Sequence, residues 1–194
     1  MKILWLDTET TGLDPKLNDI IQLAMIIEVG GEVKERIEYK IKPFNLHNIS
    51  QEALNVNGIT LQEMEGYPTV KEVYRGLIDV WGKYIDKFDK ADKFIPAGYN
   101  VSFDIDFLRE FFLKHDKYFG SWVWQYKPLD PLSLIRYLEY RNYLKLENHK
   151  LETICRHFGI EIKAHDAMAD IEATRELVKM LDTKIVYCLD NSSR

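Results

Sequence analysis

Apolar positions along the chain recur with two periods, two residues and about 3.6 residues, the signatures of strands and helices. Residues 2–7, KILWLD, form a nearly continuous apolar run, as expected of a strand covered on both faces. DIIQLAMIIEV (19–29) and EVKERIEYKIK (32–42) flank Gly30-Gly31 and predict a β-hairpin on a Gly-Gly turn. In the second arm Val33, Glu35, Ile37, Tyr39 and Ile41 fall on one face, and Lys34, Arg36, Glu38, Lys40 and Lys42 on the other. That polar face predicts an exposed or edge strand. Residues 43–68 are dense in Pro, Asn and Gly and read as loops, with a short helix near SQEALN. Thr69 and Glu72 have capping-box spacing, and the apolar positions from Val70 to Ile85 predict an amphipathic helix over 70–86. KFIPAGYN (93–100) reads as a short strand running into a glycine turn. FDIDFLREFFLKH (103–115) reads as a helix with Ile105, Leu108, Phe111 and Phe112 inward. KPLDPLSLIRYL (127–138) predicts a strand stopped by Pro131 and then a helix. LETICRHFG (151–159) predicts a helix ended by Gly159, and a last helix spans about Asp166 to Met180. The order β, hairpin, α, β, α, β, α, α defines an α/β domain with a mixed sheet, since one hairpin arm must run antiparallel.

Length and composition narrow this picture. A chain of 194 residues with 46% hydrophobic positions suits one domain, taken as residues 1–185, with 186–194 expected to fray. There are 26 Lys and Arg against 31 Asp and Glu, so the formal net charge is −5. This argues against a protein that coats duplex DNA through a broad basic surface. It leaves room for a nucleic-acid enzyme whose acids hold metal ions. Cys155 and Cys188 lie far apart with no CxxC, so neither a zinc site nor a disulfide framework is expected. No apolar run approaches about 18 residues, and the N-terminus lacks the plan of a signal peptide. An intracellular, cytoplasmic protein without a membrane partner is expected.

The candidate chemistry begins at DTET (7–10), which ends the first strand. Asp7 and Glu9 are on alternate positions and so share a face. Two like charges about 4 Å apart repel by roughly 1 kcal/mol in water and roughly 4 kcal/mol at an effective dielectric of 20. Two more acidic groups sit where helices begin, Asp104 in NVSFD (100–104) and Asp170 in HDAMAD (165–170). Taken singly, Asp104 reads equally as a helix-dipole acid, Asp166 as an N-cap and His165 as a surface histidine. Taken together, Asp7, Glu9, Asp104, Asp170 and His165 are what two Mg²⁺ or Mn²⁺ ions and a general base require. Hard cations take carboxylate oxygens, and two of them can clamp the attacking and leaving oxygens of phosphoryl transfer.

These three motifs resemble those of the DnaQ-like DEDDh 3′–5′ exonucleases. DTETTGL (7–13) matches the first motif DxETTGL, NVSFD the second, NxxFD, and HDAMAD the third, HxAxxD, in the family's order. IIQLA (20–24), NGIT (57–60) and LETICRHFGI (151–160) add softer likeness, and the resemblance spans about residues 2–182. It implies a ribonuclease H-like fold with a central mixed five-stranded sheet flanked by helices. It implies that Asp7 bridges two metals, that Glu9 and Asp170 complete the site of the water-activating ion, and that Asp104 holds the other. His165 would be the general base. Thr10, Thr11, Gly12 and Leu13 would line the pocket of the 3′-terminal nucleotide, with Asn100 and Phe103 also at the substrate. The chain departs from the family at Tyr99 and Asn57, where histidine is common, and Thr11 separates it from the oligoribonucleases, which carry methionine there.

The function expected is release of nucleoside 5′-monophosphates from the 3′ end of single-stranded DNA, in proofreading or repair, with a DNA polymerase as a possible partner. An exoribonuclease, a non-catalytic nucleic-acid-binding module and a small-phosphoester hydrolase are the other readings. Lys127, Arg136, Arg141, Lys145 and Lys150 make the stretch before the third motif basic, which fits contact with a strand backbone or a solvated face. Trp122 and Trp124 are open between core, dimer contact and stacking platform.

Overall fold

The computed structural model describes residues 1–115, 117–162 and 166–191, with side chains of the last helix described to residue 183. Its sheet has the order β3-β2-β1-β4. Strand β1 (Lys2–Thr10) lies between β2 (Ile20–Val29), antiparallel to it, and β4 (Ile95–Ala97), parallel to it. Strand β3 (Glu32–Lys40) forms the predicted hairpin with β2 and the predicted edge. The helices are α1 (Gln51–Asn57), α2 (Leu61–Glu65), α3 (Val70–Trp81), α4 (Ser102–Leu113), α5 (Pro131–Tyr140), α6 (Leu151–Phe158) and α7 (Ala167–Asn191).

The alternation along β1 sorts the two layers. Leu4 and Leu6 face a core shared with Val73, Leu77 and Trp81 of α3 and Leu108 and Phe112 of α4. Ile3 and Trp5 face the opposite way, against Ala167 and Ile171 of α7. Continuing the same period puts Asp7 and Glu9 on the α7 face, where Asp170 is. Arg175 of α7 fastens this layer: its Nε and Nη2 each lie 2.8 Å from Glu28 Oε2 on β2, in a pair that is nearly buried on both sides. Arg36 on β3 holds Glu172 at 2.7 Å.

Several expectations are corrected here. The sheet has four strands among the described residues, not five. The strand expected before Pro131 is reduced to a single bridge, Ala97 to Leu129, with Leu129 N–H on Pro96 O at 2.8 Å and Gly98 N–H on Leu129 O at 3.2 Å. Pro128 and Pro131 flank that bridge, and neither has an N–H to extend a ladder. Val33 does not share a face with Ile37. The pairing skips Lys34 between Ile27–Glu35 and Glu28–Val33, and this bulge turns Val33 to the α7 layer while Ile37 and Tyr39 pack toward α3. Helix α3 stops at Trp81 rather than 86, with Gly82 as its cap, and α7 continues past Met180 to Asn191. Among the described residues no helix is long and apolar enough to cross a membrane.

Candidate active site

Pairing of β1 with β4 stops at Trp5–Ala97, so the last residues of β1 run beyond their parallel neighbour. Asp104, in the first turn of α4, takes over that edge. Its Oδ1 accepts the Thr8 backbone N–H at 2.9 Å and the Thr8 hydroxyl at 2.7 Å, and the residue is only 4% exposed. The chain reaches this position through a tight passage. A Cβ on Gly98 would lie 2.7 Å from Leu6 O, closer than any side chain tolerates against backbone. Asn100 then takes a left-handed turn, φ 55°, a conformation Asn tolerates better than most residues. Its backbone N–H donates to Asp130 Oδ1 at 3.2 Å, and Asp130 also caps α5 through Leu132 N–H at 2.9 Å. Asn100 is thus exposed and shapes the turn, while Phe103 is half-buried against Phe107, ring centroids 4.8 Å apart.

On the other face, Asp166 caps α7 as its position predicts. Its Oδ1 accepts Ala169 N–H at 3.1 Å and its carbonyl accepts Asp170 N–H at 2.9 Å, fixing the turn that presents Asp170. A bulge in β2 sits beside the acids: the pairing skips Ile21 between Glu9–Gln22 and Thr10–Ile20. Bulges recur next to active sites because they re-aim a strand end.

The carboxylates act on one another. Burial, first, and then the charges of Asp104, Asp170 and Glu9 raise the Asp7 carboxyl well above the usual range. Burial also lifts Asp104, to about 7, against the pull of its two Thr8 hydrogen bonds and with a further push from Glu9. All four acids are therefore within electrostatic reach of one centre. Among the described residues no group of three or more acidic, histidine or cysteine side chains stands close enough together to hold a metal ion. An oxygen-only donor set in which each partner disfavours its neighbour's charge fits a hard divalent cation, which reverses that balance. His165 lies outside the described residues.

The loop after β1 is held by its own side chains. Thr10 Oγ1 donates to Gly12 O at 2.7 Å, and Thr11 Oγ1 accepts Asp19 N–H at 2.9 Å. Thr11 is fully buried, so its hydroxyl builds the loop. Gly12 has Asn18 Oδ1 2.5 Å from where a Cβ would stand. Leu13 is 84% exposed, an apolar side chain on the loop that follows the acids of β1. Two residues outside the predicted site set complete this wall: Asn57, noted in the sequence only as a departure from the family, and Asp19, which the sequence did not single out. Asn57 donates from Nδ2 to Thr10 O at 2.9 Å. Buried Asp19 pairs with Lys114 at the end of α4 and accepts Asn45 N–H at 2.7 Å. Its partners are distant in sequence, and its only local signal is an acid placed directly before an apolar strand. Trp122 proves to be core, packed on Trp81, while Trp124 is half-buried between the ammonium groups of Lys93 and Lys127, 5.2 and 4.9 Å from its ring. A separate cavity of about 450 Å³, lined by Lys42, Phe44, Val70, Lys114 and His115, is not formed by the acids.

A four-stranded mixed sheet with acids gathered at one end of its central strand defines a nuclease domain of the ribonuclease H-like class. The chain belongs to the RNase_T exonuclease family, which it matches over residues 4–178, and is DnaQ-like of the DEDDh type, as its motifs imply. Among its relatives, the PolC-type DNA polymerase III of Oceanobacillus iheyensis is 33% identical over 182 residues, covering 93% of this chain and 11% of that one. The corresponding Bacillus subtilis protein is 32% identical over 177 residues, covering 90% and 11%. The structure of E. coli Exonuclease I in complex with a dT13 oligonucleotide superposes with a TM-score of 0.80 at 25% identity, covering 98% of this chain and 43% of that one. The chain therefore spans 11% of the length of these polymerases.

Proposed function

We propose that this domain is a divalent-metal-dependent 3′–5′ exonuclease that releases nucleoside 5′-monophosphates from single-stranded DNA. The observation that carries the reading is that Asp7 and Glu9 on alternate positions of β1, Asp104 hydrogen-bonded to Thr8, and Asp170 in the first turn of α7 reach one end of that strand. Asp7, Glu9, Asp104 and Asp170 would hold two Mg²⁺ or Mn²⁺ ions, which when bound would supply Lewis acidity at the attacking and leaving oxygens of the scissile phosphodiester. Asp7, on the strand, would serve as a ligand alongside the other three acids. Asp104 is oriented for its part by the two Thr8 hydrogen bonds, which occupy one carboxylate oxygen. His165, the residue before Asp166 in the third motif, would take a proton from the attacking water on a ring nitrogen. The water oxygen would bond to phosphorus as the bond to the 3′ oxygen of the penultimate nucleotide breaks; that oxygen takes up a proton to become the new 3′-hydroxyl, and the nucleoside 5′-monophosphate leaves.

Single strands suit this wall because a terminal base must be unstacked to reach the acids. In this reading Leu13, exposed after the Thr10–Gly12 loop, would press on that base, and Asn57 and Asp19 brace the loop. DNA is favoured over RNA by the likeness to an exonuclease solved on dT13 and to DNA polymerases. A polymerase partner and a role in proofreading or repair belong to the same reading. The test is a pair of 5′-labelled single strands, one DNA and one RNA, incubated with Mg²⁺ or with EDTA. The expected result is a DNA ladder shortening from the 3′ end only with metal. Shortening of RNA alone would move the assignment to an exoribonuclease, and no shortening of either would overturn it.

A further inference from the structure

Tyr137, Tyr140 and Tyr143 are 50%, 80% and 71% exposed, within seven consecutive positions of one chain segment. Their neighbours Leu138, Leu144 and Leu146 pack into the cluster shared by α5, α6 and α7. The tyrosines are thus left outside by a segment that had a core available. They form a built surface. Tyr137 and Tyr140 are three residues apart on α5 and so neighbours on its surface. The helix then ends in a turn with Asn142 at φ 57°, where Tyr143 N–H returns to Leu138 O at 2.9 Å. That turn brings Arg141 between two of the rings. Its Nη1 donates to Tyr137 Oη at 3.3 Å, its Nη2 approaches Tyr143 Oη at 3.5 Å, and its guanidinium carbon stands 5.5 Å from the Tyr143 ring centroid.

The charge around the rings is positive. Arg136, Arg141, Lys145 and Lys150 lie in this stretch, and its two acids are engaged: Glu139 with His149 Nε2 at 2.5 Å and Glu147 with Arg156 at 3.5 Å. In a chain of net charge −5 this is a local exception. The segment is also tied to the element that carries Asp104. Tyr99 Oη donates to His149 O at 2.5 Å, and Asp130, the cap of α5, accepts the N–H of Asn100. From that cap, Tyr137 and Tyr140 lie about 10 and 15 Å along the helix at 1.5 Å per residue.

We propose that Tyr137, Tyr140 and Tyr143, with Arg141, form a stacking platform for bases of the single strand upstream of its 3′ end. Exposed aromatic rings interleaved with cations suit a flexible polyanion whose every unit has a π face. The inference rests on the exonuclease reading, and the experiment separates the two. Binding of a fluorescent thymidylate strand of about 16 nucleotides is followed by anisotropy in EDTA. Hydrolysis is followed separately on the p-nitrophenyl ester of thymidine 5′-monophosphate, which is too small to reach the platform. Tyr140→Ala and Tyr143→Ala are expected to weaken strand binding by roughly five- to 150-fold each, the range of a base–aromatic stack. Tyr140→Phe should bind as wild type does. Arg141→Gln should lower the salt dependence of binding by about one phosphate contact. All four should hydrolyse the small ester at the wild-type rate. Alanine variants that bind the long strand as tightly as wild type would overturn the platform. Wild-type protein that binds the strand but leaves the ester intact would count against the catalytic reading alone.

Discussion

Asp104 shows how a single side chain does two jobs. It closes the open edge of β1 through Thr8, and it supplies one of the charges that burden Asp7. Asp104→Asn keeps an oxygen able to accept both Thr8 hydrogen bonds but loses the charge. Turnover should fall by at least about 100-fold, as when a charge-stabilising group is removed, while the fold is retained. The sign of the stability change follows from linkage. The folded carboxyl titrates at about 7, against an ordinary value of 3.8, so between those pH values the folded state holds a proton that the unfolded state has released. The metal-free protein should therefore lose stability as pH rises from about 4 to about 7, and Asp104→Asn should flatten that fall. Thermal melts in EDTA across that range check it, and an unchanged slope in the variant would place the titration elsewhere. Gly98→Ala tests the passage that aims Asp104. With Leu6 O at 2.7 Å, an added methyl must move β1 or the start of α4. A loss of roughly 1–3 kcal/mol in chemical denaturation is expected, and wild-type stability would mean the backbone yields freely there.

At the scale of elements, α7 is the piece that brings Asp170 to the strand. Its attachment combines apolar packing by Ala167 and Ile171 with the nearly buried Arg175–Glu28 pair. Arg175→Met leaves a nearly buried carboxylate without its cation and should destabilise by roughly 3 kcal/mol, a melting shift of about 6–12 °C for a domain of this size. Adding Glu28→Gln should recover part of that loss; no recovery would show that Arg175 acts through packing instead. This pair was invisible in the sequence, because Glu28 and Arg175 are joined only by the tertiary fold. The acids were legible, since each lies at an element boundary that alternation, capping and proline punctuation mark locally. The hairpin and its edge strand were legible for the same reason. The two bulges were not. A skipped residue at Lys34 or Ile21 leaves no trace in a pattern of alternate polar and apolar positions, yet it decides which layer Val33 joins. The fifth strand failed because apolar character near Leu129 outweighed the two prolines that remove its donors.

For the whole molecule, burial and neighbouring charges load Asp7 and Asp104 within an otherwise well-packed domain, and the proposed function has a divalent cation relieve that load. Mg²⁺ or Mn²⁺ should raise the melting temperature near pH 8, since ligand at 100 times its dissociation constant stabilises by about 2.7 kcal/mol. Asp170→Asn should lose most of that gain. Against a net charge of −5, the stretch 136–150 is locally basic and exposes Tyr137, Tyr140 and Tyr143, the side to which the proposed platform assigns the strand. The most direct single test of the central claim is a titration of one protein sample with Mn²⁺. Free ion is measured by electron paramagnetic resonance, and cleavage of a single DNA strand is measured in parallel, for wild type and for Asp7→Ala. Two ions bound per chain, with cleavage that requires them and with both lost in Asp7→Ala, is the result predicted. Undiminished cleavage by Asp7→Ala, or cleavage without any bound ion, would contradict it.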